Sequence, residues 1–269
     1  MQPEIHLGSI TLQTFGIAFA CAFIAAGAVL SRRFRELGKS PDWAYEVILF
    51  ALIGGLVGAR LDFILENYDS VKNDLLGNIF SGSGLVWYGG AIGGAAGVGL
   101  WAWWRGMLNL VLLDACAVPL SLGYAIGRIG CQVSGDGDYG KAWDGPWAMA
   151  YPNGTEPSTQ TVHPTPIYET LAMGLVAYAL WRLRDRFQTG VLFALYLVLA
   201  GTERFLVEFI RRNDHILLGL TQAQLISLAM MAAGGAWLVA KWRRGELRRQ
   251  PVARAGTDRA AMPAGTQAS

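Results

Sequence analysis

Apolar runs long enough to cross a bilayer recur along this chain, and no other feature restricts its fold as much. A helix of about 20 residues spans the ~30 Å hydrocarbon core. Inside that core every backbone N–H and C=O must find its partner within the segment, so such runs have to be helical. They lie at roughly 10–30, 45–65, 85–104, 109–126, 166–183, 190–210 and 222–240. The expectation is an all-α integral membrane protein with seven transmembrane helices and a small external head region. One transmembrane domain would occupy 1–245, with the head loop at about 127–165. Residues 246–269 would form a disordered cytoplasmic tail, since the stretch from Gln250 is rich in Ala, Arg, Gly and Pro. Charged residues make up only 16% of the chain, against about 25% in soluble domains. The net charge of +2 gives no footing for nucleic acid. Cys21, Cys116 and Cys131 form no C-x-x-C pair, so neither a zinc site nor a disulfide framework is indicated.

Basic residues follow every second span. Arg32, Arg33, Arg35 and Lys39 come after the first, Arg105 after the third, and Arg182, Arg184 and Arg186 after the fifth. Lys241, Arg243, Arg244, Arg248 and Arg249 follow the seventh. The positive-inside rule therefore puts the N-terminus outside and the C-terminus in the cytoplasm. Glu4 without any Lys or Arg before the first run argues against a cleavable signal peptide. Glu66, Asp69, Lys72 and Asp74 read as an external, acidic loop. Only Arg211 and Arg212 break the alternation, and residues that break an orientation rule invite a functional reading. Gly54 and Gly58 in span two, and Gly89, Gly93 and Gly97 in span three, have the spacing that lets helix backbones approach closely.

Ionisable side chains inside a membrane cost about 2.5–3.5 kcal/mol each on insertion scales and usually face a partner or a wet cavity. Arg60 in span two, Arg128 after span four, and Arg204, Glu208 and Arg211 at the end of span six stand out. Arg204 and Glu208 are four apart and share a helix face. One reading is an ion pair that fixes helix packing. The other is that Arg60, Arg128, Arg204 and Arg211 converge as a phosphate clamp, since the planar guanidinium binds phosphate oxygens in pairs. Charge placement alone leaves both open. Asp136 and Asp138, set among glycines, read as turn formers rather than metal ligands. No nucleotide-binding loop, metal-ligand helix or serine-nucleophile elbow is present, so no cofactor or metal is implied.

At these residues the sequence resembles the bacterial prolipoprotein diacylglyceryl transferases, over most of its length. The most specific element is Gly127-Arg128-Ile129-Gly130 before the polar loop. Gly58-Ala59-Arg60, Tyr88-Gly89-Gly90, His163-Pro164-Thr165-Pro166-Ile167-Tyr168-Glu169, Arg204 with Glu208, and Thr221-Gln222-Ala223-Gln224 support it. The resemblance implies transfer of the diacylglyceryl group of phosphatidylglycerol to the lipobox cysteine of a prolipoprotein signal peptide, the first step of lipoprotein maturation. It further implies a bacterial cytoplasmic (inner) membrane, a site on the outer side that is open to membrane lipid, and no nucleic-acid partner. Arg128 and Arg204 would clamp the phosphate, with Glu208 and Glu169 orienting them and Tyr88 donating a hydrogen bond. Arg60, Gly89, Gly90, Cys131, His163, Tyr168, Glu169 and Arg211 would line the substrate site. The chain departs from the family in having Tyr88 where His is usual, Cys131 where Asn is usual, and Phe15 where Tyr is usual. A phenol is a poor base at neutral pH, and His163 is a candidate substitute.

Two other readings compete. A paralogue with the same fold would bind lipid or transfer it to another acceptor, or be inactive; the three departures favour it. A small transporter would also carry intramembrane Arg–Glu pairs, but it predicts an inverted repeat that the sequence lacks.

Overall fold

In the computed structural model, which describes residues 1–8, 10–68 and 87–248, seven helices carry the chain, with three short antiparallel hairpins between or before them. The hairpin β1 (Glu4–Leu7) and β2 (Ile10–Gln13) precedes α1 (Thr14–Glu36) and α2 (Trp43–Glu66). Next come α3 (Trp87–Trp104) and α4 (Leu110–Ser134). A head region with β3 (Met149–Tyr151) and β4 (Ser158–Val162) leads to α5 (Thr165–Leu183) and α6 (Val191–Val207). The hairpin β5 (His215–Leu217) and β6 (Leu220–Thr221) opens α7 (Gln222–Arg243). Asp69, Lys72, Asp74, the first residues of the expected third span and the tail from Arg249 lie outside the described residues.

Among the described residues four helices, α1, α2, α4 and α7, are long and apolar enough to cross a membrane. The others fall short for visible reasons. Helix α6 has only 17 residues, α5 carries Glu169 and Arg182, and α3 is built largely of Gly, Ala and Trp. Ile24, Leu65, Ile92, Leu171 and Leu175 are exposed around the bundle, an apolar surface of the kind that lipid covers. The chain is a membrane protein.

Packing follows small residues. A Cβ placed on Gly54 or Gly58 of α2 would run into the backbone oxygens of Gly93 and Gly89, and one on Gly93 or Gly97 of α3 would meet Gly54 and Phe50. The two backbones touch, as the sequence spacing implies. Gly130 does the same for α1 and α4, since a Cβ there would lie 2.8 Å from the Ala18 Cβ.

Helix α4 differs from its expected bounds. The sequence reading ends span four near residue 126 and opens the head loop at Gly127, yet the helix runs two further turns to Ser134. Glycine inside a helix costs only about 1 kcal/mol relative to alanine, and Gly130 is repaid by the close approach of α1. The stop comes at Gly135, whose left-handed φ of 63° caps the helix through its N–H to the Cys131 carbonyl. Arg128 therefore projects from a helix and not from a loop.

The two ends of the bundle differ in chemistry. At one end Arg33 pairs with Glu36 (3.0 Å) and Asp185 (2.7 Å), and Arg184 grips Glu36 through two nitrogens (2.9 and 3.0 Å). Asp114 of α4 accepts from the Gly190 and Phe193 N–H groups there and so caps α6. The C-terminal ends of α4 and α6, the N-terminal end of α5 and the head region meet at the other end. Past α7, the Leu247 carbonyl accepts from the Gln188 N–H at 3.1 Å, so residues 246–248 fold back on the start of α6.

Candidate active site

The second end of the bundle holds a charge cluster drawn from four segments. Glu169, fully buried in the first turns of α5, is its centre. Pro164 and Pro166 start that helix where a missing N–H costs nothing, which fixes Glu169 one turn in. Arg128 of α4 places Nε 2.8 Å from Glu169 Oε2, and Arg204 of α6 places Nη1 3.2 Å from Oε1. Arg211, from the loop after α6, approaches Oε1 at 3.7 Å. The Tyr124 hydroxyl donates to Glu169 at 3.1 Å and accepts from Arg128 Nη2 at 3.2 Å.

A second layer locks the arginines. Glu208 sits 2.9 Å from Arg204 Nη2, while its other oxygen accepts from Asn213 at 2.6 Å. Asp138 bridges Arg128 and Arg211. Burial opposes ionisation of Asp138, yet the two guanidiniums outweigh it and hold the carboxyl down at about 2. Arg128, Arg204 and Arg211 thus stand against Asp138, Glu169 and Glu208, and the charges balance. The balance is imperfect in direction. Glu169 Oε2 and Glu208 Oε2 lie beside guanidiniums but receive no aligned N–H, so part of each arginine fork is not spent on its carboxylate.

The structure brings together five of the residues singled out in the sequence: Arg128, Arg204, Glu208, Glu169 and Arg211. Cys131 joins them at one remove, with its sulfur 3.6 Å from Arg128 Nη1. His163 lies in the head, stacked on Trp143 with ring centroids 4.4 Å apart and Nδ1 3.3 Å from the Tyr168 hydroxyl. Tyr168 also accepts from Trp147 Nε1 at 2.8 Å. Arg60 and Tyr88 belong to the α2–α3 pair, where the Arg60 guanidinium lies over the Phe63 ring at 5.1 Å. None of Asp138, Glu169 and Glu208 forms an ion pair with Arg60 among the described residues. The Gly89 N–H donates to Asp62 at 2.8 Å, and Gly90 faces Ala59.

Sequence reasoning missed Tyr124 and misread Asp138 as a turn former. Asp136 does form the turn, accepting from the Asp138 N–H. Tyr124 was legible, since it precedes Arg128 by one helical turn. Asp138 was not, because a carboxylate among glycines carries no sign of what it will meet. Cys131, Asp136 and Asp138 bring possible metal-binding atoms within 4.8 Å of one another, but guanidiniums hold both Asp138 oxygens and their charge opposes a cation there. Arg212, the other residue that broke the charge alternation, lays its guanidinium over Tyr139 at 4.3 Å.

Comparison with known proteins agrees with this arrangement. The family model for prolipoprotein diacylglyceryl transferase matches residues 3–240. Proteins named phosphatidylglycerol–prolipoprotein diacylglyceryl transferase are similar along nearly their whole length. That of Rhodospirillum centenum is 30% identical, covering 94% of this chain and 95% of its own. The Clostridium tetani protein is 30% identical over 87% of this chain and 95% of its own. The Leptospira interrogans protein is 29% identical over 86% and 89%. With the family model running from residue 3 into α7, the chain belongs to the prolipoprotein diacylglyceryl transferase family.

Proposed function

We propose that this protein moves the diacylglyceryl group of phosphatidylglycerol onto the lipobox cysteine thiol of a prolipoprotein, the first step of lipoprotein maturation. The observation that carries the reading is the convergence of Arg128, Arg204 and Arg211 around buried Glu169 at the end of the bundle away from Arg33 and Arg184. The substrates are those in the names of its relatives. All seven helices cross a bacterial inner membrane in this reading, with N-terminus and head outside and C-terminus in the cytoplasm. The alternation of basic loops supports that orientation.

The chemistry is a displacement at carbon. The acceptor sulfur attacks the glycerol carbon that bears the phosphate, the C–O bond breaks, and the oxygen leaves with the electron pair as glycerol phosphate. Negative charge grows on the leaving phosphate, so donors already aimed at it stabilise the transition state. Arg128 and Arg204 supply them, as paired N–H forks that Glu169 and Glu208 hold in orientation. Arg211 and Asp138 close the site on the head side, and Tyr168 with His163 lines the entry to α5. Tyr88, Gly89, Gly90 and Arg60 serve the lipid from the α2–α3 side, and Cys131 shapes the wall next to Arg128.

The test is transfer itself. Purified protein in phosphatidylglycerol vesicles should convert a lipobox peptide to its thioether-linked diacylglyceryl form and release glycerol phosphate in equal amount. Vesicles of phosphatidylcholine should give neither. Absence of product from any lipobox peptide, in folded protein, would leave the paralogue reading in its place.

A further inference from the structure

Arg128 has an acceptor at each of its three nitrogens. Nε lies 2.8 Å from Glu169 Oε2, Nη2 donates to the Tyr124 hydroxyl at 3.2 Å, and Nη1 is held by Asp138. A phosphate gains its full grip on this side chain only if one of the three leaves. We infer that the Asp138 carboxylate stands in for the lipid phosphate between Arg128 and Arg211, and that carboxylate and phosphate exchange there as substrate enters and product departs. The inference rests on the transferase reading above for the identity of the phosphate.

Geometry singles out Asp138 as the partner that leaves. The side chains of Glu169 and Glu208 are fully buried, and pulling either from its arginines would strand a charge in the interior. The Asp138 side chain is 32% exposed, so its carboxylate can turn into water. It offers one oxygen to each arginine, Oδ2 to Arg128 Nη1 and Oδ1 to Arg211 Nη2. Two oxygens on one central atom, each taking an N–H from a guanidinium, are what a phosphate also presents. Only the carboxylate has to move. The Asp138 carbonyl accepts from Thr165 Oγ1 at 2.5 Å and from Arg211 Nη1 at 3.2 Å. The backbone therefore stays, and Arg211 with it, when the side chain rotates.

Charge argues the same way. With Asp138 in place, three arginines stand against three carboxylates. Turning Asp138 outward leaves one positive charge over, which the single negative charge of the phosphatidylglycerol diester neutralises. Tyr124 is neutral, so its departure would leave the bound phosphate uncompensated. The product is a phosphate monoester, which carries about −1.5 to −2 at neutral pH, and an open clamp would retain it more tightly than the substrate. Return of the Asp138 carboxylate to Arg128 and Arg211 competes with that product and speeds its release. The two guanidiniums keep the carboxyl ionised down to about 2, so the competing charge is always present near neutral pH.

The experiment titrates glycerol phosphate into detergent-solubilised full-length protein by calorimetry, with no turnover. Asp138→Asn, shown to be folded by its thermal melt, should bind about tenfold more tightly than the wild type, because its clamp no longer has to be vacated. In transfer assays the same variant should show a lower KM for phosphatidylglycerol, and glycerol phosphate should inhibit it about tenfold more strongly. Equal or weaker binding by folded Asp138→Asn overturns the inference and leaves Asp138 as a residue that only positions the arginines. The wild type gives a second reading that needs no variant to fold. Sulfate, a dianion of phosphate shape, should raise the rate at which a water-soluble carbodiimide modifies Asp138, read by peptide mass spectrometry. An unchanged or lower rate overturns the inference as well. A wild-type protein that passes both binding tests yet lipidates no lipobox peptide sinks the transferase reading and leaves the anion exchange standing.

Discussion

Arg128 shows what a single side chain is asked to do here. It touches Glu169, Asp138, Tyr124 and Cys131 at once, which uses the breadth of a guanidinium and has no equivalent in an ammonium. Arg128→Lys keeps the charge and loses the fork, so turnover should fall about a hundredfold, the usual loss when one transition-state donor goes. Steady-state kinetics on folded protein decide it, and near-normal kcat would remove Arg128 from the clamp. Asp138 makes a different prediction. Its carboxyl ionises at about 2 in the folded chain, below the ordinary value near about 3.9. A lowered folded-state value means the stabilisation is complete above pH of about 4 and is lost as pH falls from there through about 2. Thermal melts of the detergent-solubilised protein should therefore drop more steeply across that window in the wild type than in Asp138→Asn. Parallel curves would show that the bridge to Arg128 and Arg211 contributes nothing to acid stability.

Between helices the decisive groups are absent ones. Gly58 of α2 and Gly89 and Gly93 of α3 leave no room for a Cβ, and overpacking such a contact costs about 1–3 kcal/mol. Gly58→Val should lower the melting temperature, while Gly99→Ala, whose Cβ meets nothing within 4 Å, should leave it unchanged or raise it. Equal effects from both would mean the α2–α3 contact is not tight. Glycine spacing was readable in the sequence because helix periodicity turns it directly into a face. Thr221 and Gln224 were readable too, and the structure gives their local reason, a capping box in which each side chain bonds the other's N–H (3.2 and 3.1 Å). The extension of α4 to Ser134 was not, since Gly127 and Gly130 look like breakers until α1 is seen packed on Gly130. Nor was the partnership of Asp138 with Arg128, which depends on how the head folds back: Gly140 tucks under the Ile210 carbonyl, and Thr165 donates to the Asp138 carbonyl. Contacts between residues distant in sequence leave no periodic trace.

At the scale of the whole molecule the two charged ends must face different compartments if the site is to meet an exported peptide and the outer-leaflet lipid beside it. Arg32, Arg33, Arg35, Arg182, Arg184 and Arg186 gather at the end where α1 and α5 finish. The positive-inside rule favours the cytoplasm for such loops, and in the proposed orientation the head and the Arg128 cluster face outward. Cysteine labelling reads this directly, but position matters. Gly135 is unsuitable, because its left-handed backbone and a close approach to Gly154 would strain any side chain. Thr159, exposed on β4, and Arg186, exposed beyond α5, are open sites at opposite ends. Cys21 is exposed and should be replaced by serine, whereas Cys131 is buried. In whole cells a membrane-impermeant maleimide should modify Thr159→Cys at once and reach Arg186→Cys only after the membrane is permeabilised. Labelling of Arg186→Cys alone would invert the molecule and put the arginine cluster in the cytoplasm, where no exported acceptor arrives. A diacylglyceryl transfer at Glu169 and its arginines would then have no substrate, so the orientation of the bundle and the chemistry of its site stand or fall together.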